Sequence, residues 1–160
     1  MILESGYNDK QHSTLEEMQE AVTEMITMAY DMGLTTFLVN PNASSHGTGT
    51  TPDVVFAKEI RQLASDLGDK TTLIDLSQLS YNFLMEHYNG DWDTVTTYYN
   101  NSADKLHSTT NAANCWAAIV VQGLYDNGFA DIVDTEYSYH FDDGTADGVT
   151  VQIDTSSSSN

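Results

Sequence analysis

Two short stretches combine residue types and spacings that suit acid–base and oxyanion chemistry. The first is Gly6-Tyr7-Asn8-Asp9, and the second is Asp104-Lys105-Leu106-His107. An Asp three residues before a His, where a loop enters a helix, can turn back and accept a hydrogen bond from the ring Nδ1–H. That leaves Nε2 to act as a general base. Asn8 supplies an amide N–H, a donor suited to a developing oxyanion. Each pattern alone is common, either as a chance Asp-x-x-His or as a plain Gly-containing turn. Both together, in this order, carry more information.

The elements that must position them follow from the periodicity. Met1–Ser5 reads as a strand running into the turn at Gly6-Tyr7-Asn8-Asp9. Thr14 and Glu17 form a capping box for a helix whose Leu15, Met18, Val22, Met25, Ala29 and Met32 recur at steps of three and four, with Gly33 placed to end it. This spacing predicts a core-facing stripe, in preference to an adaptable methionine surface for binding. Thr35–Val39 is the next strand, and the Asn/Ser/Gly/Thr-rich stretch to Thr51 is a loop. Thr51 and Pro52 then read as the cap and first residue of a helix through Val55, Ile60, Leu63, Ala64 and Leu67, stopped by Gly68. Thr71–Asp75 is a third strand, a helix through Leu79, Phe83 and Leu84 follows, and a last long helix runs from about Thr109 to Tyr125. Alternating strands and helices call for a parallel sheet, and ligands of such sheets bind beyond the carboxyl ends of the strands. Both chemical stretches are expected at that edge. Residues 131–155 read as a β-hairpin extension, with Tyr137–Phe141 and Val149–Ile153 flanking a Gly/Asp turn, and residues 156–160 as a disordered tail.

In these two stretches the chain resembles the SGNH (GDSL-like) hydrolases, in their rhamnogalacturonan acetylesterase-like branch. Ile2 through Asp9 look like the family's strand followed by Gly-x-Asn-Asp. Asp104 through Ala113 look like its Asp-x-x-His block, and the run from Asp53 through Leu76 is similar to the segment between. The resemblance covers residues 1–126, and residues 1–130 are expected to be the later part of such a domain. It implies a three-layer α/β, flavodoxin-like fold with flanking helices, its parallel sheet lacking the first two strands. It also implies a serine esterase that deacetylates a polysaccharide such as a pectin component and needs no cofactor. Carried over, His107 is the base, Asp104 its orienting partner and Asn8 an oxyanion donor, with Gly6 and Asp9 forming and holding the turn.

The chain departs from the family at the nucleophile. Gly-Asp occurs only at Gly68-Asp69-Lys70 and Gly90-Asp91-Trp92, neither with a Ser, and the upstream oxyanion Gly is absent. Two strand–helix units, about 60 residues at about 30 per unit, are therefore expected to be missing. The segment from Met1 to Ser5 would then be an exposed sheet edge through which copies could associate. Ser44 and Ser45 beside His46 lack a nucleophile elbow and read as polar loop, which leaves the nucleophile unassigned. The alternative to an esterase is a non-catalytic carbohydrate-binding protein or a non-functional gene fragment.

Composition limits the partners. Against 24 acidic residues stand 5 basic ones, a formal charge of −19, which repels nucleic acid and anionic membranes but not a neutral, acetylated polysaccharide. His12, His87 and His140 are too scattered for a metal site. Asp142, Asp143 and Asp147 raise a calcium reading, but their spacing fits an ordinary polar turn better. Tyr98, Tyr99 and Trp92 are candidates for a sugar platform or for core. Cys115, the one cysteine, sits in an apolar helical run and reads as a buried thiol. The sequons at Asn42 and Asn100 would matter on a secreted parent, which the resemblance implies. As written, without a signal peptide, the chain reads as cytosolic.

Overall fold

The computed structural model describes residues 1–6, 9–43, 52–53, 56–91, 95, 98–99 and 107–157, apart from the side chains of Lys10 and Gln11. The chain divides into two compact units, residues 1–44 with 51–78, and residues 45–50 with 79–160.

The first unit is built on a parallel sheet of β1 (Ile2–Glu4), β2 (Phe37–Val39) and β3 (Thr72–Ile74), in the order β1-β2-β3. Leu3, Leu38 and Leu73 stand in register across the strands. They pack with Met18, Val22 and Ile26 of helix α2 (Leu15–Asp31) and with Ile60, Leu63 and Ala64 of helix α3 (Ala57–Leu67). Phe37, Val39 and Ile74 point to the other face and are buried as well. A strand buried on both faces is what an uninterrupted Phe-Leu-Val run serves best.

Helix α1 (Asp9–His12) is a single turn after β1. At the start of α2 the Thr14 hydroxyl accepts from the Glu17 N–H at 3.2 Å, while the Glu17 carboxylate accepts from the Thr14 N–H at 2.8 Å. This reciprocal pair satisfies donors that the first turn would otherwise leave open. The helix gives way at Gly33, where φ is 77° and the next N–H, from Leu34, reaches back to the Ala29 carbonyl. Its buried arc is Met18, Val22, Ile26 and Ala29. Leu15, Met25 and Met32, expected on the core side, are exposed. The apolar arc is wider than the surface that α3 and the sheet offer it. Helix α3 begins at Ala57, not at Pro52, because Pro52 and Asp53 are held by Arg61 of α3 instead of joining it.

The chain crosses from the first unit to the second within helix α4 (Leu76–Tyr88). The second unit contains helix α5 (Thr110–Asp126) and the strands β4 (Ser138–Phe141) and β5 (Val149–Gln152), which pair antiparallel and pack against α5. Phe141 is fully buried and meets Tyr99 at a ring separation of 4.5 Å, and Tyr99 in turn lies 4.9 Å from Trp116.

The described strands thus form two separate sheets, one parallel and three-stranded, the other antiparallel and two-stranded. This corrects the expectation of one flavodoxin-like sheet with flanking layers, and with it the SGNH or GDSL-like single-sheet arrangement. The cause is local. The segment between Phe141 and Val149 is far too short for a parallel crossover, which needs a dozen or more residues, so β4 and β5 fold back on each other.

Ile26 of α2 is fully buried, and Met32, the residue that caps the end of the same helix, is 71% exposed. Ile26→Ala is expected to cost about 2–5 kcal/mol in urea unfolding. Met32→Ala should stay within about 0.5 kcal/mol of the parent. Equal losses would contradict this orientation of α2.

Candidate functional site

The carboxyl ends of the three parallel strands are where polar side chains gather. Beyond β1, the Asp9 carboxylate accepts from the Gly6 N–H at 2.6 Å and from the Ser5 hydroxyl at 3.0 Å, closing the turn over the start of α1. Gly6 has a φ of 112°, and a Cβ there would lie 2.6 Å from Ile60 Cδ1 and 3.2 Å from the Pro41 ring. The dihedral favours glycine, and the packing leaves a Cβ little room.

Beyond β2 and β3 lies a network that sequence reasoning missed. Asn40 is fully buried; its amide N–H donates to Asp75 Oδ1 at 2.7 Å and its carbonyl accepts from the Ser77 N–H at 2.9 Å. Asp75 Oδ1 also accepts from the Gln78 N–H in the first turn of α4, at 3.1 Å. The Arg61 guanidinium donates to Asp75 Oδ2 at 2.6 Å, to Asp53 Oδ1 at 2.6 Å and to the Pro52 carbonyl at 2.8 Å. Burial works against the charge of Arg61, but hydrogen bonds and charge from Asp75 and then Asp53 outweigh it, and its pKa is raised. Every polar group named here is engaged within the network, so its role is to fix the sheet edge. The available signal was weak: Asn40 and Asp75 each directly follow a strand.

Gly6 and Asp9 lie in the first unit and His107 in the second. Asn8 and Asp104 fall outside the described residues, as do Trp92 and the Ser44-Ser45-His46 triplet. His107 is exposed, two residues before the cap of α5. That cap, Thr109, accepts from the Ala112 N–H at 3.2 Å, gives its own N–H to the Tyr99 carbonyl at 2.6 Å and gives its hydroxyl to the Tyr98 carbonyl. Tyr99 is core, packed on Trp116 and Phe141, and so is not part of an exposed sugar platform. His107 therefore stands on a chain segment tied to the aromatic core of its unit.

The other candidates resolve as structure. Asp143 accepts from both the N–H and the hydroxyl of Thr145, and from the Tyr88 hydroxyl at 3.0 Å. Desolvation opposes its ionisation, but these hydrogen bonds prevail and lower its pKa. Asp142 accepts from the Gly144 N–H at 3.0 Å, so this loop is an Asp-stabilised turn. Among the described residues, no three His, Cys, Asp or Glu side chains converge to hold a metal ion. Burial pushes the Cys115 thiol up to about 12, far from a reactive thiolate. No helix among the described residues is long and apolar enough to cross a membrane.

No protein-family model matches the chain, and no curated protein matches it. Among solved structures, it is similar to the crystal structure of protein YXIM_BACsu from Bacillus subtilis. The identity is 25%, the TM-score is 0.63, and the match covers 81% of this chain. This chain spans 37% of the length of that one.

Glu4, the last residue of β1, offers a prediction at this edge. Much of its surface is open, but its carboxyl is enclosed by enough protein for desolvation, and then the charge of Asp9, to raise its pKa. A raised carboxyl contributes stability below the unfolded value of about 4.3, and that contribution is lost as the pH rises through the folded value. Glu4→Gln should therefore raise the melting temperature at neutral pH, with the gain vanishing below about pH 4. A gain of equal size at both pH values would contradict this account.

Proposed function

We propose that this chain carries the base and oxyanion side of a serine-esterase active site, acting on acetyl esters of a polysaccharide. In this reading His107 Nε2 takes the proton of the attacking hydroxyl and returns it to the leaving alcohol. Asp104 accepts the Nδ1–H, which holds the ring in the required tautomer. The Asn8 amide donates to the oxyanion that forms as the carbonyl carbon becomes tetrahedral. The attacking hydroxyl is not assigned to any Ser of this chain, and the reaction requires no cofactor.

The observation that carries the reading is the turn beyond β1. Gly6 adopts a left-handed conformation that favours glycine, and the Asp9 carboxylate accepts from the Gly6 N–H and the Ser5 hydroxyl, on either side of Asn8 in the sequence. Supporting it are the order of the two stretches along the chain and the exposed position of His107 at the entry to α5. The acidic surface is compatible with a neutral sugar polymer and discourages polyanionic substrates.

The test is hydrolysis of p-nitrophenyl acetate by the chain and by its His107→Ala variant. A general base usually contributes about 10²–10⁴ in rate, so a fall of at least about tenfold is expected even from a low starting activity. Equal rates would remove His107 from the chemistry. Sugar binding that persisted alongside equal rates would favour a non-catalytic carbohydrate-binding protein.

A further inference from the structure

Helix α2 carries more apolar surface than its own unit covers. Met25, Met28 and Met32 are 43%, 58% and 71% exposed. At about 100° per residue they form, with Ala21, one stripe along the border of the buried arc. The opposite flank of that arc is polar, and its Gln19, Thr23 and Thr27 line a groove with Leu63 and Asp66 of α3. The positions 21, 25, 28 and 32 step by four, three and four, the spacing of an a/d seam in a heptad repeat. Glu17, Glu24 and Asp31, each exposed, recur at heptad spacing immediately before Met18, Met25 and Met32. These are the g positions that choose a partner's charge in helix pairs.

We infer that this seam docks an amphipathic helix of another polypeptide, one whose own apolar seam is bordered by Lys or Arg. Charge complementarity selects that occupant. A second copy of α2 running antiparallel would set its acidic g positions against the same three carboxylates. Running parallel, it would oppose them with the e positions Val22 and Ala29, which are buried and carry no charge. The −19 charge of the whole chain adds to the repulsion between copies and from anionic membranes. Unbranched methionines suit a seam that adapts to its partner.

The probe is a synthetic helix with Leu at a and d and Lys at e and g, compared with the same peptide carrying Glu at e and g. Binding to the full chain is followed by fluorescence anisotropy. The Lys peptide is expected to bind at least about tenfold more tightly than the Glu peptide. Met28→Asp should weaken the Lys peptide by about tenfold, although the added negative charge would strengthen a merely nonspecific attraction. Met32→Asp serves as a second variant, and circular dichroism establishes that each remains folded. Unchanged or tighter binding by both variants, or no binding by the parent chain, would overturn the inference. So would sedimentation showing a dimer of the chain that Met28→Asp abolishes, because the occupant would then be a second copy.

Discussion

The side chain of Asn40 has no access to solvent, and both ends of its amide are committed, the N–H to Asp75 and the carbonyl to the Ser77 N–H. Leaving a buried polar group unmatched costs about 1–3 kcal/mol, and here one residue satisfies two partners at once. Asp75 can approach this buried amide because Arg61 supplies its counter-charge, and Arg61 uses its remaining donors on Asp53 and the Pro52 carbonyl. The neighbours of these residues in the chain then complete the site. Pro41 follows Asn40 and Ile60 precedes Arg61, and these two form the wall against which Gly6 closes. The turn that precedes Asn8 is thus seated on the same network that joins β2 to β3.

What could be read from the sequence was mostly local. The Thr14–Glu17 capping box joins residues three apart, and it is present as reciprocal bonds. The last helix, read from about Thr109 to Tyr125, is likewise set by short-range signals, and it runs from Thr110 to Asp126 with Thr109 as its cap. The Asn40–Asp75–Arg61 network joins residues 14 and 35 positions apart, and nothing in either neighbourhood announces it. The same network overrode a local signal at Thr51-Pro52: once Arg61 binds the Pro52 carbonyl and Asp53, the helix starts at Ala57, with no side-chain cap. Periodicity found the apolar stripe of α2 but could not tell which part of it would find a neighbour. That is decided by where α3 packs.

The larger misreading, one continuous sheet, came from carrying a family's architecture across a chain that shares two short stretches with it. The strands read at Tyr137–Phe141 and Val149–Ile153 pair with each other as β4 and β5, and neither joins the parallel sheet of β1, β2 and β3. At the candidate site, Gly6 and Asp9 were legible because a tight turn with a carboxylate clamp is written within four residues. His107 was singled out by type and spacing alone, while the way its segment is held, with Thr109 bonded to the Tyr98 and Tyr99 carbonyls, depends on contacts made in three dimensions. Tyr99 and Cys115, which chemistry alone could have recruited to a site, are used as core.

The central claim is that Asn40 and Asp75 act as one unit that fixes the sheet edge on which the turn is built. A double-mutant cycle with Asn40→Ala, Asp75→Ala and the double variant, measured by urea unfolding, tests it most directly. The account predicts that the two losses are far from additive, with a coupling of about 1–3 kcal/mol. Additive losses, with a coupling below about 0.5 kcal/mol, would contradict it.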